Sequence, residues 1–209
     1  MAIFLDSADL DDAREAASYG FIYGVTTNPT LLARAGHTDP RPLLEELSGL
    51  FEGPVFHQLI GHTTEDLLKE APEFLAISPN IGLKIMCTLE GLRASSQLSP
   101  QANILITSTF LPSQAMLATE TGANYVVPYV NRITRLTGSG PQVVAEMSAV
   151  LEGTTCEILA ASIKSPNEAV ETVIAGAQHL SMPLDVIKSM VESDLTQQAF
   201  EAFDASRKG

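Results

Sequence analysis

Tryptophan is absent from the 209 residues, aromatic residues make up 6%, and only two cysteines occur, Cys87 and Cys156. The cysteines are far apart in sequence and form no C-x-x-C pair, so neither a zinc site nor a redox motif is indicated, and both read as small core residues. Cations are also scarce: 12 Lys and Arg face 25 Asp and Glu, for a formal net charge of -13. With no cluster of positive side chains to meet phosphates in series, a nucleic-acid partner is excluded, although a few well-placed cations suffice for one phosphate. No apolar run approaches the about 20 residues of a membrane span, and the opening Met1-Ala2-Ile3-Phe4-Leu5-Asp6 has no basic n-region. The expectation is a cytoplasmic protein with no membrane partner. His37, His57, His62 and His179 are scattered through unlike elements, so no metal site and no cofactor is expected.

What the chain does have is alternation. Short apolar runs follow one another with helix-period segments between them, in eight strand-then-helix units of about 26 residues each. The strands are read at residues 2–7, 24–27, 54–60, 81–86, 103–109, 125–130, 156–163 and 179–183. The segment 134–140, rich in Gly, Thr and Ser, reads as a loop. This pattern predicts an α/β fold, a (β/α)8 TIM barrel with an extra C-terminal helix, as one domain over residues 1–209 with a helical tail at 195–209. An open doubly wound sheet is the competing architecture, but no G-x-G-x-x-G follows the first strand and no acid is placed for a ribose. In the tail, Leu195, Ala199, Phe200 and Phe203 share one stripe, which packs either on its own barrel or on a neighbouring subunit.

In the run Ile81-Gly82-Leu83-Lys84-Ile85-Met86 a lysine interrupts an otherwise apolar strand. Burial disfavours the ammonium form of an amine, and the neutral amine is a nucleophile for carbonyl carbon. The plainer alternative is a strand-end lysine whose stem carries the charge out to water. Chemistry in such barrels sits at the carboxyl ends of the strands. The polar residues there are Asp6, Thr26, Thr27, Asn28, Gln58, Lys84, Thr107, Tyr129, Asn131, Arg132, Ser162 and Lys164. Singly they have plain readings, Asp6 as a helix cap, Gln58 and Thr107 as satisfied core polar groups, and Tyr129 as an amphipathic barrel residue. Arg132 with Ser162 makes a candidate phosphate site at the late strands. His57 has opposite strand parity to Gln58 and points away from the lumen.

Several of these residues fall in motifs that resemble a known family. Asp6 together with Gly24-Val25-Thr26-Thr27-Asn28-Pro29-Thr30-Leu31 resembles the D…GVTTNP signature of the transaldolase family, and Gly82-Leu83-Lys84-Ile85 followed by Thr88-Leu89-Glu90-Gly91-Leu92 resembles its Schiff-base lysine strand. Pro128-Tyr129-Val130-Asn131-Arg132, Gly138-Ser139-Gly140, Leu159-Ala160-Ala161-Ser162 and Pro183-Leu184-Asp185-Val186 continue the match, which is strongest to the short fructose-6-phosphate aldolases. The resemblance implies a class I aldolase without cofactor: Lys84 forms the Schiff base, Asp6 takes the C4 hydroxyl proton, and Gln58, Thr107 and Tyr129 position the water that shuttles protons. It also implies that Asn28 and Thr26 hold sugar hydroxyls, while Arg132, Ser162 and, less directly, Lys164 bind the phosphate. Transaldolases proper usually have glutamate in place of Gln58 and phenylalanine in place of Tyr129, so this chain resembles the aldolases at both. It departs from the family over residues 106–114 and at Val127, where a smaller residue is common. The partners implied are sugar phosphates or small ketones and aldehydes, and further copies of the chain in a homo-pentamer or homo-decamer joined through the last helix, which is shorter here than usual. Two readings compete with fructose 6-phosphate cleavage: transfer of a dihydroxyacetone unit to erythrose 4-phosphate, and a non-catalytic barrel that binds a sugar phosphate.

Overall fold

The computed structural model describes residues 1–207. Eight parallel strands, β1 (Ala2–Asp6), β2 (Ile22–Thr26), β3 (Val55–Gln58), β4 (Ile81–Met86), β5 (Ile104–Thr109), β6 (Tyr125–Pro128), β7 (Glu157–Ala160) and β8 (His179–Met182), close into a barrel in chain order, β8 pairing back to β1. An open sheet is therefore excluded. The helices are α1 (Leu10–Ser18), α2 (Pro29–Arg34), α3 (Arg41–Leu50), α4 (Thr64–Leu75), α5 (Leu89–Leu98), α6 (Pro112–Glu120), α7 (Val130–Thr137), α8 (Gly140–Val150), α9 (Pro166–Ile174), α10 (Leu184–Ser189) and α11 (Asp194–Arg207). Their starts are written in side chains. Asp9 accepts N–H bonds from Asp11 and Asp12 to open α1, and Thr63, Thr88 and Ser165 do the same for α4, α5 and α9. Asp9 is thus the cap of α1, and Asp6 is left for another role.

Two corrections to the sequence reading concern the segment after β6. Residues 134–140 are largely helix rather than loop, since α7 runs from Val130 to Thr137 and ends on Gly138 with a left-handed φ of 89°. Arg132 accordingly stands on a helix, and Tyr129 is its first flanking residue instead of a residue of β6. Strands β3 and β7 are also shorter than read: β3 stops at Gln58, before Leu59 and Ile60, and β7 at Ala160, before Ser162 and Ile163.

Strand parity sorts the side chains into two shells. Leu5, Val25, Leu83 and Ile106 point outward and are fully buried under the helices. Phe4, Phe56, Leu105, Val127 and Leu159 point inward and fill the lumen as a separate apolar cluster. Glycine makes room for the two phenylalanines: a Cβ on Gly82 meets the Phe56 ring at 2.4 Å, and one on Gly24 meets the Phe4 ring at 2.9 Å. Gly82→Ala is expected to cost about 1–3 kcal/mol through overpacking, and because Gly82 is two residues from Lys84 it also shifts the site. Urea unfolding of the variant measures the first effect.

His57 points outward, as its parity requires, and lies buried against Phe74 of α4 with ring centroids 3.9 Å apart. Its Nδ1 has no hydrogen-bond partner, and burial pushes the imidazole down to about 4. An unfolded histidine titrates near 6.5, so between these values the unfolded chain binds the extra proton. Stability is full above pH ~6.5 and falls as pH drops toward 4, by about 3 kcal/mol at the lower end. The expected result is a slope in the urea midpoint over that window which His57→Leu removes.

The C-terminal helix does not pack on its own barrel. No residue of α11 is buried, and Leu195, Phe200 and Phe203 are 77%, 67% and 71% exposed. The reading of this stripe as intramolecular packing is set aside. Residues 208 and 209 of the expected tail lie outside the described residues. Among the described residues, no helix is long and apolar enough to cross a membrane.

Candidate active site

Toward the carboxyl ends of the strands a further set of side chains faces inward, on the strands or just beyond them: Asp6, Thr26, Gln58, Lys84, Thr107, Tyr129, Ala161 and Ser181. The registers that align them are Asp6 with Thr26, Gln58 with Lys84 and Tyr129 with Ala161. Period 2 along the strands puts these side chains on the same face as the apolar lumen cluster. Lys84 is 3% exposed, so its stem does not carry the charge to bulk water. Instead it crosses from β4 toward the end of β2, where Nζ donates to the Thr27 carbonyl at 3.1 Å.

Two polar pairs flank the lysine. The Thr26 hydroxyl donates to Asp6 Oδ1 at 2.8 Å and lies 2.6 Å from Ser181 Oγ, fixing one carboxylate oxygen and leaving the other for the cavity. On the far side, the Tyr129 hydroxyl is 2.9 Å from Thr107 Oγ1, and Phe110 packs edge-on against the phenol ring. Gln58 does not join that pair; its amide reaches toward Met86 Sδ at 3.6 Å, which also accepts from Ser108 Oγ.

The rim carries the cations. Arg132 lays its guanidinium 4.9 Å from the centre of the Tyr129 ring. Glu168 ties the first turn of α7 to the loop after β7, accepting from Asn131 Nδ2 at 3.1 Å and from the Lys164 backbone N–H at 2.7 Å. Ser108 and Ser162 hold left-handed φ values of 58° and 62°, the two non-glycine residues to do so among those described. Such a conformation costs about 1–3 kcal/mol and collects at functional sites. Regular parity would turn both serines outward; the left-handed step brings both to the cavity. At Ser108 it coincides with a bulge between Thr107 and Thr109.

These elements enclose a cavity of about 430 Å³. Asp6, Asn28, Gln58, Lys84, Tyr129, Arg132, Ser162 and Lys164 line it. Thr26 and Thr107, also expected from the sequence, stand behind this wall and reach it through Asp6 and Tyr129. Asn28 has a second duty, capping α2 through its bond from the Leu31 N–H at 3.0 Å. Sequence reasoning missed Arg34, Met86, Ser108 and Ser181. Parity alone identifies Met86 and Ser181, whereas nothing in the pattern marks the other two. A larger groove of about 1060 Å³ runs outside the barrel over Leu68, Leu89, Leu92 and Leu117. It lies on the outer helical layer between α4, α5 and α6, and its one arginine, Arg93, pairs with Glu90. No group of three or more His, Cys, Asp or Glu among the described residues is placed to hold a metal ion.

Fold and site together define a (β/α)8 barrel with a buried amine, a carboxylate, a phenol and rim cations around one cavity, a set suited to carbonyl chemistry on anionic substrates. The family model described as Transaldolase/Fructose-6-phosphate aldolase matches residues 3–208, and the chain belongs to that family. It is 36% identical over 206 residues to a probable transaldolase of Symbiobacterium thermophilum, covering 97% of this chain and 95% of that protein. A probable transaldolase of Agathobacter rectalis is 35% identical over 210 residues, covering 98% and 96%. Among solved structures, a mandelate oxidase variant with an FMN adduct superposes with a TM-score of 0.61 at 15% identity, covering 88% of this chain and 64% of that one, a likeness of fold alone.

Proposed function

We propose that this protein is a class I aldolase that cleaves fructose 6-phosphate to dihydroxyacetone and glyceraldehyde 3-phosphate and catalyses the reverse addition. The observation that carries the reading is Lys84, held 3% exposed in a cavity that Asp6 and Tyr129 also line. The Lys84 amine adds to the C2 ketone, and loss of water gives an iminium. Asp6 takes the C4 hydroxyl proton; the C3–C4 bond breaks, its electron pair moves into the iminium as an enamine, and the aldehyde leaves. Protonation at C3 and addition of water return dihydroxyacetone and free Lys84. Tyr129, held by Thr107, relays protons to and from the water at this step. Gln58 takes part after turning from Met86. Asn28 and Thr26 orient the hydroxyl groups of the sugar, Thr26 through its bond to Asp6. Arg132, Ser162 and Lys164 receive the phosphate, the guanidinium by paired N–H donation.

A second reading has its own support, because the relatives cited carry the name probable transaldolase. In it, the enamine is kept from water and passed to erythrose 4-phosphate. Gln58 and Tyr129 favour the first reading, since a phenol able to exchange protons with water promotes release. The assay is glyceraldehyde 3-phosphate release from fructose 6-phosphate with and without erythrose 4-phosphate. The expected result is release in both; release only with acceptor overturns the aldolase reading in favour of transfer. The uncovered stripe of α11 supports assembly into a homo-pentamer or homo-decamer, in which the helix lies on a neighbouring copy.

A further inference from the structure

Arg14, Arg41, Arg93 and Lys188 each pair with a surface carboxylate. Arg34, Arg132 and Lys164, like Lys69 and Arg135, form no ion pair with any described residue, but these three line the same cavity as Lys84, where Asp6 is the one lining carboxylate. In a chain of net charge -13, cations gathered at one mouth without carboxylate partners repel each other. An anionic ligand relieves that repulsion.

The three cations do not come from one wall. Arg132 follows β6 and Lys164 follows β7, whereas Arg34 is in the last turn of α2, after β2. In the closed order β1 to β8, β2 stands opposite β6. The helix that carries Arg34 is fixed at its start by Pro29 and the Asn28 cap and anchored by buried Leu32, so the arginine is delivered to the cavity from a set position. Its five N–H donors suit a phosphate.

We propose that Arg34 is a third phosphate-recognition residue, closing on the phosphate of the bound sugar phosphate from the wall opposite Arg132 and Lys164 and setting the preference for phosphorylated over neutral aldehydes. The assignment rests on the aldolase reading for the identity of the substrate and on the charge arrangement for the phosphate. Its test uses the full-length protein and two readouts. Inorganic phosphate titrated by calorimetry is expected to bind Arg34→Ala roughly 5–30-fold more weakly than the parent, with Arg34→Lys between them. In aldol addition to dihydroxyacetone, the ratio of kcat/KM for glyceraldehyde 3-phosphate to that for glyceraldehyde is expected to fall by roughly the same factor. Unaltered phosphate affinity, or an unmoved ratio with both rates lowered alike, overturns the assignment and leaves Arg34 as a rim charge of structural effect only. Should the parent protein show no aldol addition at all, the aldolase reading fails by itself, and the phosphate titration still decides the role of Arg34.

Discussion

Lys84→Met is expected to lower turnover of fructose 6-phosphate by at least ~10⁴-fold, because removal of a covalent nucleophile deletes the pathway instead of weakening it. Methionine is the right replacement. It is unbranched and fills the space of the lysine stem, and among the described residues the one hydrogen bond it forfeits is that from Nζ to the Thr27 carbonyl. Losing one hydrogen bond typically costs about 1 kcal/mol, and release from burying an amine offsets it. The thermal midpoint should therefore stay near that of the parent while steady-state cleavage disappears. Residual activity within tenfold of the parent would mean that the carbonyl is activated elsewhere.

Asp6→Asn is expected to lower the cleavage rate by ~10²–10⁴-fold, the usual worth of a positioned general base. The amide is isosteric, and its oxygen still accepts the hydroxyl bond of Thr26, so the chain Asp6–Thr26–Ser181 keeps its geometry. What it loses is the ability to take a proton from the C4 hydroxyl. The two substitutions consequently part company in one respect: Asp6→Asn retains a Lys84 that borohydride traps with dihydroxyacetone, whereas Lys84→Met retains none. A rate for Asp6→Asn within threefold of the parent removes Asp6 from the proton step.

The barrel and its polar layer are legible in the sequence because both depend on period 2. Once 81–86 is read as a strand, Lys84 and Gly82 share the lumen face, and the same counting from β1, β3 and β5 places Asp6, Gln58 and Thr107. The bounds of β4 and α5 in the structure are those the apolar run and Thr88 imply. Elements governed by tertiary contact were not legible. Helix α7 contains Thr134 and Thr137, β-branched residues that also bond back to carbonyls four residues earlier, and ends beside Gly138, so its composition resembles a loop. The left-handed turns at Ser108 and Ser162 carry no glycine to announce them, and parity misdirects both. Arg34 resembles any helix-surface arginine until the barrel closes and shows which wall it stands on. The tail stripe was legible as amphipathic, but only the structure shows that its own barrel leaves it uncovered.

The two thiols take no part in this chemistry. Burial pushes Cys156 up to about 12 and raises Cys87 as well, so neither competes with Lys84 as a nucleophile near neutral pH.

The most direct test of the account is borohydride reduction of the protein in the presence of dihydroxyacetone, followed by peptide mass mapping. The account predicts one reduced adduct, on the peptide that carries Lys84, and none in Lys84→Met. An unmodified Lys84, or an adduct on Lys164 in its place, contradicts it.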